Sequence, residues 1–288
     1  MRFRSLLLLV VSFFLLYSVI VGLLKYQAVD SRSGLKVAYL ILVHSDESVL
    51  ASQRLLPAIW RPDFFYLYVV DQSTDELGRL RLDEFLGSPA AVFHGSANVR
   101  AMTTNVLSGW GTLGLVQNEL DGLQELLGLG KWDYAINLSG DTYPLVGQAE
   151  LAERLAHWRG ANFVTDPGTR PQRANEVPEL KLARLANVTW PTGVAEPDQY
   201  GSQWFILTRE FVEYTLSSAR ARNVLLAMGS GKADVADESF FQIVLMNSPF
   251  NSTVGYQRDL QVMVESDCVF ARKLHPEVSQ DFAVGHQH

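Results

Sequence analysis

An α/β domain built on a mixed, mostly parallel central sheet is the fold class that this 288-residue chain predicts. Three observations lead there. Val37–Val43 is almost entirely apolar, the pattern of a strand covered on both faces. Leu113, Val116, Leu120, Leu123 and Leu127 recur at spacings of three and four, which gives one apolar helical stripe. Strand-like and helix-like segments follow one another as β-α-β-β-α-β-α, the order expected of a sheet crossed by helices. With 48% hydrophobic and 19% charged residues, the composition is that of an ordinary globular core.

Taken from the start, Arg2 and Arg4 precede an uncharged run from Ser5 to Leu24, which Lys25 closes. About twenty helical residues reach roughly 30 Å, the thickness of a bilayer core. The run is longer than the core of a cleavable signal peptide, and no small-x-small site follows Gly22. The expectation is one N-terminal transmembrane signal anchor in residues 1–25, a polar stem at 26–35, and one folded domain at 36–288. Basic residues balance on the two sides of the run, so charge does not set its orientation.

The first strand, Val37–Val43, ends at His44; a helix over Ser48–Trp60 is stopped by Pro62. A second strand, Phe64–Val70, ends at Asp71 and enters the polar turn QSTDE, and Ala91–His94 reads as a short third strand. The periodic helix over Thr112–Leu127 stops at Gly128 and Gly130. Then come a strand at Tyr134–Leu138, the turn SGDTYP, a helix over Gln148–Trp158 and a short strand at Asn162–Thr165. Residues 166–200 lack periodicity. An apolar strand, Trp204–Leu207, runs through Thr208 into an amphipathic helix, and a polar linker follows. The last helix opens with Asp237 and Glu238, backed by Phe240, Phe241, Val244 and Leu245.

Several functions are disfavoured. A net charge of −7 without a basic stripe argues against nucleic acid. No G-x-G-x-x-G follows the first strand, and Walker A, G-x-S-x-G, H-E-x-x-H, C-x-x-C and D-x-D patterns are missing. The single cysteine, Cys268, cannot form an internal disulfide and reads as a packed apolar residue beside Val269 and Phe270. Three N-x-S/T sequons, Asn137, Asn187 and Asn251, suit a lumenal body, although Asn137 falls near a strand end.

In parallel sheets ligands bind beyond the carboxyl ends of the strands, where His44, Asp71 and the Ser139–Pro144 turn fall. Each has two readings. Asp71 either binds a ribose or base, or makes an Asx turn with the residues after it; His44 either contacts the ligand or is structural. Asp237 and Glu238 either complement a helix dipole or hold a general base at a cleft. Arg272 and Lys273 either clamp a diphosphate or form a solvated surface.

The blocks AYLILVH, QRLLPAIW, FYLYVVD, SGWGTLGLVQNELDGLQELL, WDYAINLSGDTYPL, GSQWFILTREFVEYTL, DESFFQIVLMNSP and CVFARKL occur in this order. Together they resemble the family of core-2 β-1,6-N-acetylglucosaminyltransferases and peptide O-xylosyltransferases, and look closer to the xylosyltransferase branch. The resemblance covers most of residues 37–275. It implies a glycosyltransferase-A type, Rossmann-like fold and an inverting, metal-independent transfer from a UDP-sugar, with no cofactor, to a protein or glycan hydroxyl. Xylose and N-acetylglucosamine are the leading donors. The base implied is Glu238. His44 and Asp71 match positions contacting the uridine part, and Trp110 and Asp141 are assigned to the nucleotide-sugar side. Arg272 and Lys273 would neutralise the diphosphate, with Trp204 and Asp237 on the acceptor or sugar side. A Golgi membrane protein anchored through residues 5–24, single-pass type II with a lumenal catalytic domain, is the expected setting.

Two departures stand out. Relatives read S-x-x-D-Y-P where this chain has Ser139-Gly140-Asp141-Thr142-Tyr143-Pro144, so the carboxylate sits one position earlier. An arginine of the core-2 branch aligns with Glu265. The alternative expectation is therefore an inactive relative serving as a membrane-anchored carbohydrate-binding or scaffold protein.

Overall fold

The computed structural model describes residues 34–109, 111–164, 185, 187–195, 199, 201–256 and 270–271. In chain order the elements are β1 (Val37–Val43), α1 (Asp46–Ile59), β2 (Phe65–Val70), α2 (Glu76–Gly87), β3 (Val99–Thr103), α3 (Leu113–Leu129), β4 (Tyr134–Ser139) and β5 (Tyr143–Pro144). They continue with α4 (Gln148–His157), β6 (Asn162–Val164), β7 (Ile206–Thr208), α5 (Arg209–Ser217), α6 (Ala219–Ser230), α7 (Phe240–Met246), β8 (Val254–Tyr256) and β9 (Phe270–Ala271). A seven-stranded sheet has the order β3-β2-β1-β4-β7-β6-β8. The pairs β3·β2, β2·β1, β1·β4 and β6·β8 are parallel, whereas β7 runs antiparallel to both β4 and β6. The sheet is thus mixed and mostly parallel, as the sequence predicts.

The two-sided burial inferred for β1 holds, since all seven of its residues are buried. Ala38, Leu40 and Leu42 join Val116, Leu120 and Leu123 of α3 in one core layer. Tyr39, Ile41 and Val43 join Leu55 and Leu56 of α1 and Leu151 and Leu155 of α4 in the other. Because successive strand side chains point to opposite faces, one apolar run serves both layers. At Gly122 an added Cβ would overlap Leu40 and Val69, so α3 lies flush on the sheet there.

Four sequence expectations are corrected. Ala91–His94 forms turns, not a strand; the third strand is β3, an edge strand whose residues are all at least partly exposed. Its outer position removes the apolar pattern that reveals inner strands. Helix α2 follows the QSTDE turn unannounced, because it buries only Gly78 and Leu82. The polar linker after α5 is helix α6. Finally, Asp237 and Glu238 do not open an α-helix. They lie in a 3-10 turn, Ala236–Glu238, ahead of the seven-residue α7. Neither that turn nor α7 has a side-chain hydrogen bond at its N-cap, so helix capping does not explain these two acids.

The expected anchor at residues 1–25 and stem at 26–33 lie outside the described residues. Among the described residues no helix is long and apolar enough to cross a membrane.

Candidate active site

A cavity of about 610 Å³ opens beyond the carboxyl ends of β1, β2 and β4. It brings together five of the residues singled out from the sequence: His44, Asp71, Asp141, Trp204 and Glu238. They come from positions almost 200 residues apart in the chain, and the parallel sheet is what collects them. His44 is exposed at the end of β1. Its carbonyl accepts from Ser73 Oγ at 3.3 Å and its N–H donates to Ser48 Oγ at 2.9 Å.

Asp71 is buried, and its carboxylate is already occupied by neighbours. Oδ1 accepts from the Ser73 N–H at 2.7 Å and Ser73 Oγ at 2.6 Å, which is the Asx turn. Oδ2 accepts from the Ser108 N–H at 3.2 Å, from Asn118 Nδ2 at 3.2 Å and from Ser108 Oγ. Burial alone would raise its pKa, but the Ser108 and Ser73 hydrogen bonds outweigh that and hold it below the usual carboxylate value. Asp71 therefore ties Ser73, the Ser108 loop and α3 into one wall of the cavity.

The SGDTYP turn forms the next wall. Ser139 Oγ donates to Asp141 and lies 3.0 Å from Thr142 Oγ1, while the Gly140 N–H donates to the Leu42 carbonyl at 3.0 Å. A Cβ at Gly140 would overlap the Ser48 carbonyl of α1. Only glycine fits this approach, which fixes where Asp141 stands.

Glu238, 6% exposed, enters the cavity from the 3-10 turn. Val235, just before it, has φ of 53°, an outlier for a β-branched residue. The turn is pinned twice: the Ala236 N–H donates to the Gly111 carbonyl at 3.0 Å, and the Gly201 N–H to the Glu238 carbonyl at 2.6 Å. Gln242 Nε2 donates to the Ser202 carbonyl at 2.8 Å, which ties the GSQW segment to α7.

Asp237 is 1% exposed and does not line the cavity; neither carboxylate oxygen has a hydrogen-bond partner of ordinary geometry. Desolvation first, and the charges of Glu238 and Asp234 next, push its pKa up to about 6, with nearby backbone N–H groups tempering the rise. Beneath the same turn lies Glu119 of α3, which the sequence reading passed over. It is three residues after Val116 and four before Leu123, in phase with the apolar stripe, and that spacing was its available signal.

Trp110, Arg272 and Lys273 lie outside the described residues, as does Cys268. Of the described residues lining the cavity, His44 is the only basic one. Among the described residues no group of three His, Cys, Asp or Glu is arranged to hold a metal ion. The described chain resumes at β9, where Ala271 pairs with Tyr143 of the SGDTYP turn.

The sequence profile of the core-2/I-branching enzymes matches residues 37–283, a span that contains every one of these side chains. The chain belongs to this family. Among relatives of this core-2/I-branching member, human xylosyltransferase 1 is 30% identical over 230 residues, covering 76% of this chain and 23% of that protein. Human xylosyltransferase 2 is 29% identical over 235 residues, covering 77% and 26%. The chain thus spans about a quarter of the length of the curated relatives it matches. Mouse xyloside xylosyltransferase 1 aligns in structure with a TM-score of 0.41 at 12% identity, covering 77% of this chain and 85% of that one. The galactosyltransferase LgtC, solved with donor and acceptor sugar analogues, aligns at 0.45 and 9% identity, covering 84% and 88%.

Proposed function

We propose that this chain is an inverting, UDP-sugar-dependent glycosyltransferase of glycosyltransferase-A type. The observation that carries the reading is Glu238, a nearly buried carboxylate on a strained, doubly pinned turn. It lines a cavity of nucleotide-sugar size together with strand-end His44, Asp71 and Asp141.

The chemistry follows from that arrangement. Glu238 takes the proton of an acceptor hydroxyl while that oxygen bonds to the sugar C1. The C1–O bond to the β-phosphate breaks on the opposite face, so the anomeric centre inverts and UDP departs. General-base help of this kind is worth about 10²–10⁴ in rate. Asp71, its lone pairs filled, acts through the Ser73 and Ser108 hydroxyls that it orients rather than by direct contact with uridine. Charge builds on the leaving diphosphate, and His44 is the only described basic group at hand. Arg272 and Lys273, which follow directly on Ala271 and its pairing with Tyr143, are the proposed clamp. Metal independence, xylose or N-acetylglucosamine as donor, a protein or glycan acceptor and a Golgi membrane anchor through residues 5–24 belong to the same proposal. The names of the xylosyltransferase relatives support xylose as the donor.

Glu238→Gln tests the reading. It keeps the shape of the base but not its proton affinity, so transfer is expected to fall by about 10²-fold or more. UDP binding followed by saturation-transfer NMR should persist, with or without EDTA. Loss of transfer and UDP binding together assigns Glu238 to structure instead. An unaltered chain that binds neither UDP nor any UDP-sugar favours the scaffold reading.

A further inference from the structure

Glu119 takes no part in the mechanism above, yet at 0% exposure it is the most deeply buried carboxyl group among the described residues. Its Oε1 accepts from Asn137 Nδ2 and from Gln203 Nε2, both at 3.1 Å. Its Oε2 is enclosed and has no partner. Asn137 in turn donates to the Gln203 carbonyl at 2.9 Å and accepts from the Phe205 N–H at 2.7 Å, so α3, β4 and the strand leading into β7 meet here. Gln203 lines the cavity. With its amide nitrogen turned down to Glu119, its side-chain oxygen is the group left for a ligand.

The surroundings of Glu119 are acidic. Asp237 lies close enough for the two charges to repel, and Asp237 itself faces Glu238 and Asp234. Asn137 and Gln203 are neutral, and no described cation pairs with Glu119 or Asp237. Three enclosed carboxyl oxygens, one on Glu119 and two on Asp237, have no hydrogen-bond donor of ordinary geometry. A proton on Glu119 Oε2 supplies one and leaves Oε1 free to accept from both amides.

We propose that Glu119 is a positioning residue of the active site: as a neutral acid it aims the Gln203 side-chain oxygen into the cavity, as acceptor for a hydroxyl of the bound sugar, and seats the Asp237–Glu238 turn. The sugar part of this rests on the UDP-sugar reading above. In support, desolvation, with the Asp237 charge adding to it, drives the Glu119 pKa well above the carboxylate range, against the lowering by Gln203 and Asn137. Ionisation would thus add a charge facing Asp237 with no described counter-ion, and activity should fall on the alkaline side as the turn is displaced.

The test uses the full chain with ¹³C-labelled side-chain carboxyls. One glutamate resonance should stay protonated above the ordinary carboxylate range and vanish in Glu119→Gln. In the same variant the Asp237 midpoint should move little, because one neutral donor replaces another and no charge is removed. A full set of glutamates titrating below about pH 5, or an Asp237 midpoint lowered in the variant by about one pH unit as loss of a charge would produce, overturns the assignment. Kinetics on UDP-xylose, read as UDP release, provide the second arm. Glu119→Leu should raise KM about tenfold, and Glu119→Gln should restore it while flattening the alkaline fall of the pH profile. Equal losses in both variants would mark a purely structural residue. No UDP release by the unaltered chain counts against the transferase reading on this donor, whereas the NMR titrations still decide the state of Glu119.

Discussion

Replacing Asp71 with asparagine removes one charge and turns one acceptor into a donor at a point where five donors converge. The amide keeps a single acceptor oxygen, so either the Ser73 or the Ser108 side faces an N–H₂ group. Hydroxyls can rotate away; a backbone N–H cannot. One part-buried N–H is then left facing a donor, which costs up to about 1–3 kcal/mol, and the remaining bonds lose their charge assistance. Together these give an expected destabilisation of about 2–4 kcal/mol near neutral pH. The sign with pH is also fixed. The folded-state pKa of Asp71 is depressed, so its stabilisation is present above the usual carboxylate pKa and lost as pH falls through the lower folded value. Urea unfolding of the parent and Asp71→Asn should therefore differ strongly near neutrality and converge in acid. A neutral-pH difference under about 0.5 kcal/mol, or one that persists unchanged in acid, would refute the role given to Asp71.

Three further outcomes are expected. Gly140→Ala must push the turn off the Ser48 carbonyl, costing about 1–3 kcal/mol in urea unfolding and weakening UDP binding through displacement of Asp141; a silent substitution would mean that the turn yields freely. Asp237→Asn should stabilise the fold: a carboxyl raised to about 6 penalises folding increasingly between about pH 4 and 6, so the gain grows over that window, reaches at most about 3 kcal/mol and is absent in acid. Mass spectrometry of the secreted domain should find glycan on exposed Asn187 or Asn251 but never on Asn137, whose side chain is 1% exposed and committed to Glu119, Gln203 and Phe205. Glycan at Asn137 would contradict the packing beneath the cavity.

Much of the site was legible because its residues sit where patterns break. His44, Asp71 and Asp141 each follow an apolar strand, and the carboxyl ends of parallel strands are where a ligand cavity opens. The strands β1, β2 and β4 were legible for the same reason: burial on both faces leaves an uninterrupted apolar run. Segments with one lightly buried face, β3, α2 and α6, carry no such run and were misread or missed. Asp237 and Glu238 were read as a helix opening because a positive φ at Val235 and the 3-10 winding leave no periodic trace in three residues.

By itself, then, the chain determined its layered α/β core, its family and the strand-end acids, since these depend on local periodicity and residue order. Only the tertiary structure decided that Asp71 is saturated by Ser73, Ser108 and Asn118, that Asp237 is enclosed beside the cavity while its neighbour Glu238 faces it, and that Glu119 lies beneath both. Hydrogen-bond occupancy and desolvation depend on groups up to about a hundred residues apart meeting in space. No reading of spacing along one segment contains that information.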